Sequence, residues 1–132
     1  MFIVKVIMSS GSVFLLKDQN SYLDFSDCGV FDKYMIGAID KINQNDSFKE
    51  INLYRNNLTD RLMPKLATLK HIEIINLCHN NITDKGVEIF IEELSKQNNQ
   101  TKFKSLNFTR NNVTVKSIEL LQKILPECKI EF

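Results

Sequence analysis

Apolar and polar positions alternate with a period of two in four short stretches of the chain: Leu23-Asp24-Phe25, Ile51-Asn52-Leu53, Ile75-Asn76-Leu77 and Leu106-Asn107-Phe108. That period sends successive side chains to opposite faces, so each stretch predicts a strand with one apolar and one polar face. Between the strands the period changes. Val87, Phe90, Ile91 and Leu94 fall at i, i+3, i+4 and i+7, the stripe of a helix with one buried side. Ile118, Leu121 and Leu125 repeat part of that stripe, and Ile36, Ile39 and Ile42 sketch it earlier. The stretch Arg61 to Leu69 predicts a short helix, with Pro64 tolerable near its start. Asp60 and Asp84, each following an apolar residue and a threonine, stand where a helix N-cap is expected.

The strands belong to a longer internal repeat. Leu23 to Val30, Ile51 to Leu58, Ile75 to Ile82 and Leu106 to Val113 align, their first residues 28, 24 and 31 positions apart. In the last three, Phe48, Ile72 and Phe103 precede the strand by three residues, giving apolar-x-x-apolar-x-apolar-x-x-Asn. Asn56, Asn80 and Asn111 close the pattern, and Cys28 takes that column in the first repeat. This pattern resembles the leucine-rich-repeat family, and the repeat lengths with intervening helices resemble its ribonuclease-inhibitor-like branch. The resemblance implies an α/β solenoid, a short right-handed horseshoe with a parallel concave sheet and convex helices. It also implies that Cys28, Asn56, Asn80 and Asn111 form a ladder bonding the backbone of neighbouring coils.

On that reading residues 1–132 form one domain. Residues 1–20 are an N-terminal cap, either a hairpin through Ser9 to Ser12 or a strand and a short helix. Repeats follow at about 21–47, 48–71, 72–102 and 103–126, with a terminal strand at 127–132. Ile130-Glu131-Phe132 repeats the strand pattern without a helix after it, leaving an edge open to pairing with a second copy or with a partner's strand. The chain is thus expected to be a monomer or a weak homodimer. Asn98 to Thr101 reads as a polar surface loop.

Composition narrows the function classes. The 17 Lys and Arg against 16 Asp and Glu give a formal charge of +1, so no chain-wide field draws a polyanion or an acidic membrane. Charge alternates too freely along the chain to predict a basic stripe, and nucleic acid and membrane are not expected partners. Met1 to Met8 is apolar but broken by Lys5, too short for a span or a secretory signal. Three separated cysteines, Cys28, Cys78 and Cys128, fit reduced thiols in a cytoplasmic setting. Asn-x-Ser/Thr triplets at Asn45, Asn57, Asn81, Asn99, Asn107 and Asn112 read as by-products of an Asn-rich repeat. The abundance of Lys, Ile, Asn and Phe is typical of AT-rich genomes. Similar small leucine-rich-repeat chains occur among secreted effectors of intracellular bacteria and in protists, so the resemblance implies as one reading a bacterial effector acting in a host cytosol.

Catalytic chemistry finds little footing. Cys78-His79 is the one pairing of a nucleophile with a base, but neighbouring strand residues point apart, and His71 lies in a preceding turn. No Cys-x-x-Cys, His-x-x-x-His or glycine-rich phosphate loop occurs, so no metal or cofactor is expected. The chain therefore reads as a non-enzymatic binding module.

The family resemblance places the binding surface on the concave face. Its middle column is Asp24, Asn52, Asn76 and Asn107; the flanking columns are Tyr22, Glu50, Ile74, Ser105 and Ser26, Tyr54, Cys78, Thr109. Just beyond lie Asp27, Arg55, His79 and Arg110, acidic in the first repeat and basic or neutral afterwards. Tyr54 and Arg55 are the leading contact residues, with Asp24, Asn52, Asn76, His79, Asn107 and Arg110 around them, because exposed Tyr and Arg dominate interface energetics. The partner is expected to be a protein, held as by an inhibitor or an adaptor. Self-association through the terminal strand, or substrate recognition within a larger enzyme, are the competing readings.

Overall fold

The computed structural model describes residues 3–7, 13–17, 21–98 and 101–132, with backbone alone for the first two segments. Strands β1 (Ile3–Ile7) and β2 (Val13–Lys17) form an antiparallel pair, with Ile3 opposite Lys17 and Ile7 opposite Val13. This antiparallel pairing is the arrangement that a hairpin would give, and β1 runs beside the first helix. The expected hairpin turn, Ser9 to Ser12, lies outside the described residues.

Five short strands then build a parallel sheet in sequence order: β3 (Tyr22–Asp24), β4 (Glu50–Asn52), β5 (Ile74–Asn76), β6 (Ser105–Asn107) and β7 (Lys129–Glu131). Their register follows the repeat. Leu23, Ile51, Ile75, Leu106 and Ile130 stand side by side, and so do Asp24, Asn52, Asn76, Asn107 and Glu131. The sheet bonds continue past the strands, with the amides of Phe25, Leu53, Leu77 and Phe108 donating to Asn52, Asn76, Asn107 and Glu131 carbonyls.

Helices return the chain on the other side: α1 (Asp32–Asn43), α2 (Met63–Leu66), α3 (Asp84–Lys96) and α4 (Val115–Ile124). As expected the second is short, a 3-10 turn at Asp60–Leu62 leading into one turn of α-helix in which Pro64 loses no bond. In the strands Leu23, Ile51, Ile75 and Leu106, and just past them Phe25, Leu53, Leu77 and Phe108, are essentially without solvent contact, and helix residues such as Met35, Ile39, Leu66, Phe90 and Leu121 close on them. Each coil thus buries its apolar face against its neighbours, which is why this fold needs several repeats to hold.

Asparagine does what the family resemblance implied. Asn56 and Asn80 are buried, 7% exposed each, and every polar atom is used. Oδ1 of Asn80 accepts from the amides of Asn56 and Leu58, while its Nδ2 donates to the carbonyls of Leu53 and Leu77. Oδ1 of Asn56 accepts from Cys28 and Val30 amides in the same manner, and Oδ1 of Asn111 from Ile82. Only a side chain with both an acceptor and two donors can satisfy a turn buried between coils. Cys28 keeps its place in the column but only donates its thiol to Ser26 O.

A second ladder replaces the expected caps. Asp60 and Asp84 are not N-caps; Thr59, Thr83 and Thr114 hold the extended N-cap conformation, and each aspartate is the first helical residue. Its carboxylate reaches instead to the next coil. Asp32 accepts from Thr59 N and Oγ1 at 2.8 and 2.5 Å, Asp60 from Thr83 at 2.8 and 2.6 Å, and Asp84 from Thr114 at 2.7 and 2.8 Å. A two-point acceptor meets a two-point donor each time, so local capping preference yields to a contact between repeats. Gly86 is part of this arrangement: a Cβ there would lie 2.1 Å from Asp60 Oδ1. At the equivalent place in α4, Ser117 Oγ donates to Asp84 at 2.5 Å.

Candidate functional site

The polar middle column of the concave face is largely occupied with its own strand ends. Asp24, Asn52, Asn76 and Asn107 each accept, through Oδ1, the amide two residues on, at 2.9, 3.0, 2.9 and 2.9 Å. Asn52 also donates to Tyr22 Oη, and Asn107 accepts from Thr109 Oγ1. These side chains fix the exit of each strand and leave part of their bonding capacity to solvent.

Tyr54 and Ile74 stand out of that polar sheet, 36% and 37% exposed. Tyr54 packs its ring edge-on to His79, with centroids 6.2 Å apart. Ile74 opens β5 and faces solvent on the column otherwise held by Tyr22, Glu50, Ser105 and Lys129. The sequence reading placed Ile74 on this face but not among the contact residues, because alternation alone marks it as one polar-side position among several.

Asp27, Arg55, His79 and Arg110 occupy one equivalent turn position, with φ of 51°, 54°, 64° and 57°. This left-handed geometry favours Gly and Asn; other residues give up on the order of 1 kcal/mol each. Arg55 lies 3.9 Å from Asp27, both side chains well exposed, so their pairing contributes little. Between this column and Asn57 and Asn81 lies a shallow recess of about 330 Å³.

The expectation of no basic stripe is corrected by the fold. Lys33, Arg61, Lys85 and Lys116 are the second residues of four successive helical segments and are all exposed, so residues scattered along the chain form a column across it. The signal was in the sequence: each stands five residues after Cys28, Asn56, Asn80 or Asn111. A second recess, about 760 Å³ and bordered by Phe31, Lys33, Tyr34 and Arg61, shares Asn57 and Asn81 with the first.

Thiol chemistry finds no support in the geometry. Cys78 Sγ accepts from Thr109 Oγ1 at 3.0 Å, and no hydrogen bond joins it to His79 among the described residues. Burial pushes the Cys128 thiol up to about 11, and burial followed by the nearby Asp24 and Asp27 raises that of Cys28, which disfavours both thiolates. Among the described residues no group of three or more His, Cys, Asp or Glu is placed to hold a metal, and no helix is long and apolar enough to cross a membrane.

Residues 68–88 match the family model described as Leucine Rich repeat. No curated protein matches the chain. Among solved structures it is similar to leiomodin-1 actin-binding site 2, with a TM-score of 0.68 and 20% identity over 84% of this chain and 69% of that one. It is also similar to the Mex67:Mtr2 subunits of Chaetomium, with a TM-score of 0.59 and 18% identity over 84% of this chain and 78% of that one. Parallel register, asparagine ladder and these likenesses together give the chain the fold of a leucine-rich-repeat solenoid.

Proposed function

We propose that the chain is a protein-interaction module whose partner docks on the concave sheet, centred on Tyr54 and Arg55. The observation that carries this reading is the exposure of Tyr54 and Ile74 on a sheet whose other outward positions, apart from the less exposed Tyr22 and Cys78, are polar. Large side chains held rigidly by strands can bind without first being ordered, so little affinity is lost to entropy on docking. The surrounding face is Asp24, Asn52, Asn76, His79, Asn107 and Arg110. The likeness to leiomodin-1 adds support, since the matching part of that protein is an actin-binding site, and hence a protein-binding surface on the same scaffold.

The finer reading is a non-enzymatic inhibitor or adaptor of the ribonuclease-inhibitor-like branch, working in the cytoplasm, or in a host cytosol if it is a bacterial effector. Helices of 12, 13 and 10 residues on the convex side favour that branch, and three free thiols favour a reducing compartment. Affinity capture from source or host lysate tests the binding role. A protein should be retained by the wild type and lost with a folded Tyr54→Ala, Arg55→Glu variant. Equal recovery by both would remove the concave face as the site.

A further inference from the structure

The rim past the C-terminal ends of the strands carries two columns that hold basic residues. Arg55 and Arg110 stand in the first, with Asp27 and His79 at its other two places; Lys33, Arg61, Lys85 and Lys116 form the second. On other surfaces some lysines are matched, Lys65 with Asp40, Lys96 with Glu93, Lys104 with Glu73 and Lys129 with Glu131, while Lys41, Lys49, Lys70, Lys102 and Lys123 are not matched among the described residues. Along the rim, Lys33, Arg61, Lys85 and Arg110 have no ion pair among the described residues, and Arg55 has only its long contact with Asp27. The nearby aspartates Asp32, Asp60 and Asp84 are committed to the threonines of the next coil.

At the first two repeats the rim is also hollow and partly apolar. Phe31 is 42% exposed at the position where later repeats place Thr59, Thr83 and Thr114. Tyr34 lies beside it on the same recess, with Lys33 Nζ 5.3 Å from its ring centroid. Aromatic surface flanked by unpaired cations suits a ligand bearing both an apolar side chain and carboxylates.

We propose that this rim binds an extended acidic segment of a partner protein, its carboxylates on Arg61, Lys33 and Arg55 and an apolar anchor on Phe31 and Tyr34. The inference rests on the reading of the chain as a protein-binding module and names the site and chemistry of a second contact. The concave face and the rim adjoin at Arg55, so one partner can engage both. A peptide is favoured over a polyanion because the recess joins apolar to basic surface, and a phosphate backbone has no apolar side chain to place on Phe31 and Tyr34.

Fluorescence anisotropy tests it, with a short labelled peptide of alternating glutamate and serine and one central phenylalanine. Saturable binding is expected, about ten-fold weaker when every glutamate becomes glutamine and falling steeply as salt is raised to about 0.5 M. A Lys33→Glu, Arg61→Glu variant should lose about ten-fold in affinity, since both side chains are exposed and the fold does not depend on them. Tyr54→Ala should leave peptide binding unchanged, which separates this site from the concave face. The proposal is overturned if the glutamine peptide binds as well, if the double variant binds as the wild type does, or if no peptide binds. It is equally overturned if a single-stranded oligonucleotide of the same charge binds more tightly. In any of those cases, a partner captured through Tyr54 and Arg55 would still uphold the concave-face reading.

Discussion

Two ladders stitch the coils of this solenoid with the same bonding logic in different surroundings. Asn80 lies at 7% exposure between strands and turn, whereas Asp60 and Asp84 lie half-buried at the helix starts. Both offer oxygen to two donors of a neighbouring coil. Inside, the acceptor is a neutral amide that also donates, because a carboxylate buried there would be unpaired and strongly desolvated. Near the surface, water moderates the cost of charge, and carboxylate bonds gain strength from it. Burial, more than bond count, decides which side chain can serve and how much its loss costs.

Substitutions can break that comparison, the largest effect being expected inside. Asn80→Ala should destabilise by roughly 3 to 5 kcal/mol, since several backbone groups lose their partner where water cannot replace it. Chemical denaturation would measure this, and a loss below about 1 kcal/mol would show that the buried ladder is not dominant. Gly86→Ala comes next. An exposed helix interior gains about 1 kcal/mol from that change, yet here the new methyl must displace the Asp60 carboxylate, so a net loss of about 1 to 2 kcal/mol is expected. In an Asp60→Ala background the sign should reverse and Gly86→Ala should stabilise; a double-mutant cycle with no coupling would disprove the stitch.

Acid should loosen the outer ladder at Asp84. Ser117 Oγ, then the Thr114 amide, hold the Asp84 carboxyl below its usual range. A lowered folded value means that the stabilisation is present above the unfolded carboxylate range, near pH 4, and is lost as pH falls through the folded value. Melting temperature should therefore decline on acidification, and less so in Asp84→Asn; parallel curves would argue against the assignment. The smallest effect concerns the turn column. Arg55→Gly should leave stability unchanged or raise it by up to about 1 kcal/mol, by relieving a positive φ, while weakening partner capture. A clear loss of stability would mean that Arg55 is structural.

The strands, the convex stripes and the asparagine column were legible because each follows from a period carried within one repeat. The aspartates were misread for the converse reason: Asp60 obeys a local rule, but its partner Thr83 stands 23 residues away in the next coil. Basic charge failed likewise, as Lys33, Arg61, Lys85 and Lys116 look dispersed along the chain and align only when repeats are stacked. Tyr54 and Arg55 were picked by residue type, and both are exposed. Phe31 was not singled out, since no short pattern distinguishes a buried from an exposed phenylalanine. What one sequence conceals here is what happens between repeats.

The carboxylate ladder also has a direction. Each coil offers an acceptor forward and a threonine backward, yet Phe31 takes the threonine's place in the first coil and Val115 the aspartate's place in the fourth. The molecule is therefore modular in its middle and not at its margins. A duplicated Thr83-to-Val113 unit inserted between its neighbours would find a hook and an eye on both sides. The same unit grafted directly after α4 would meet valine, and would have to be held by packing alone.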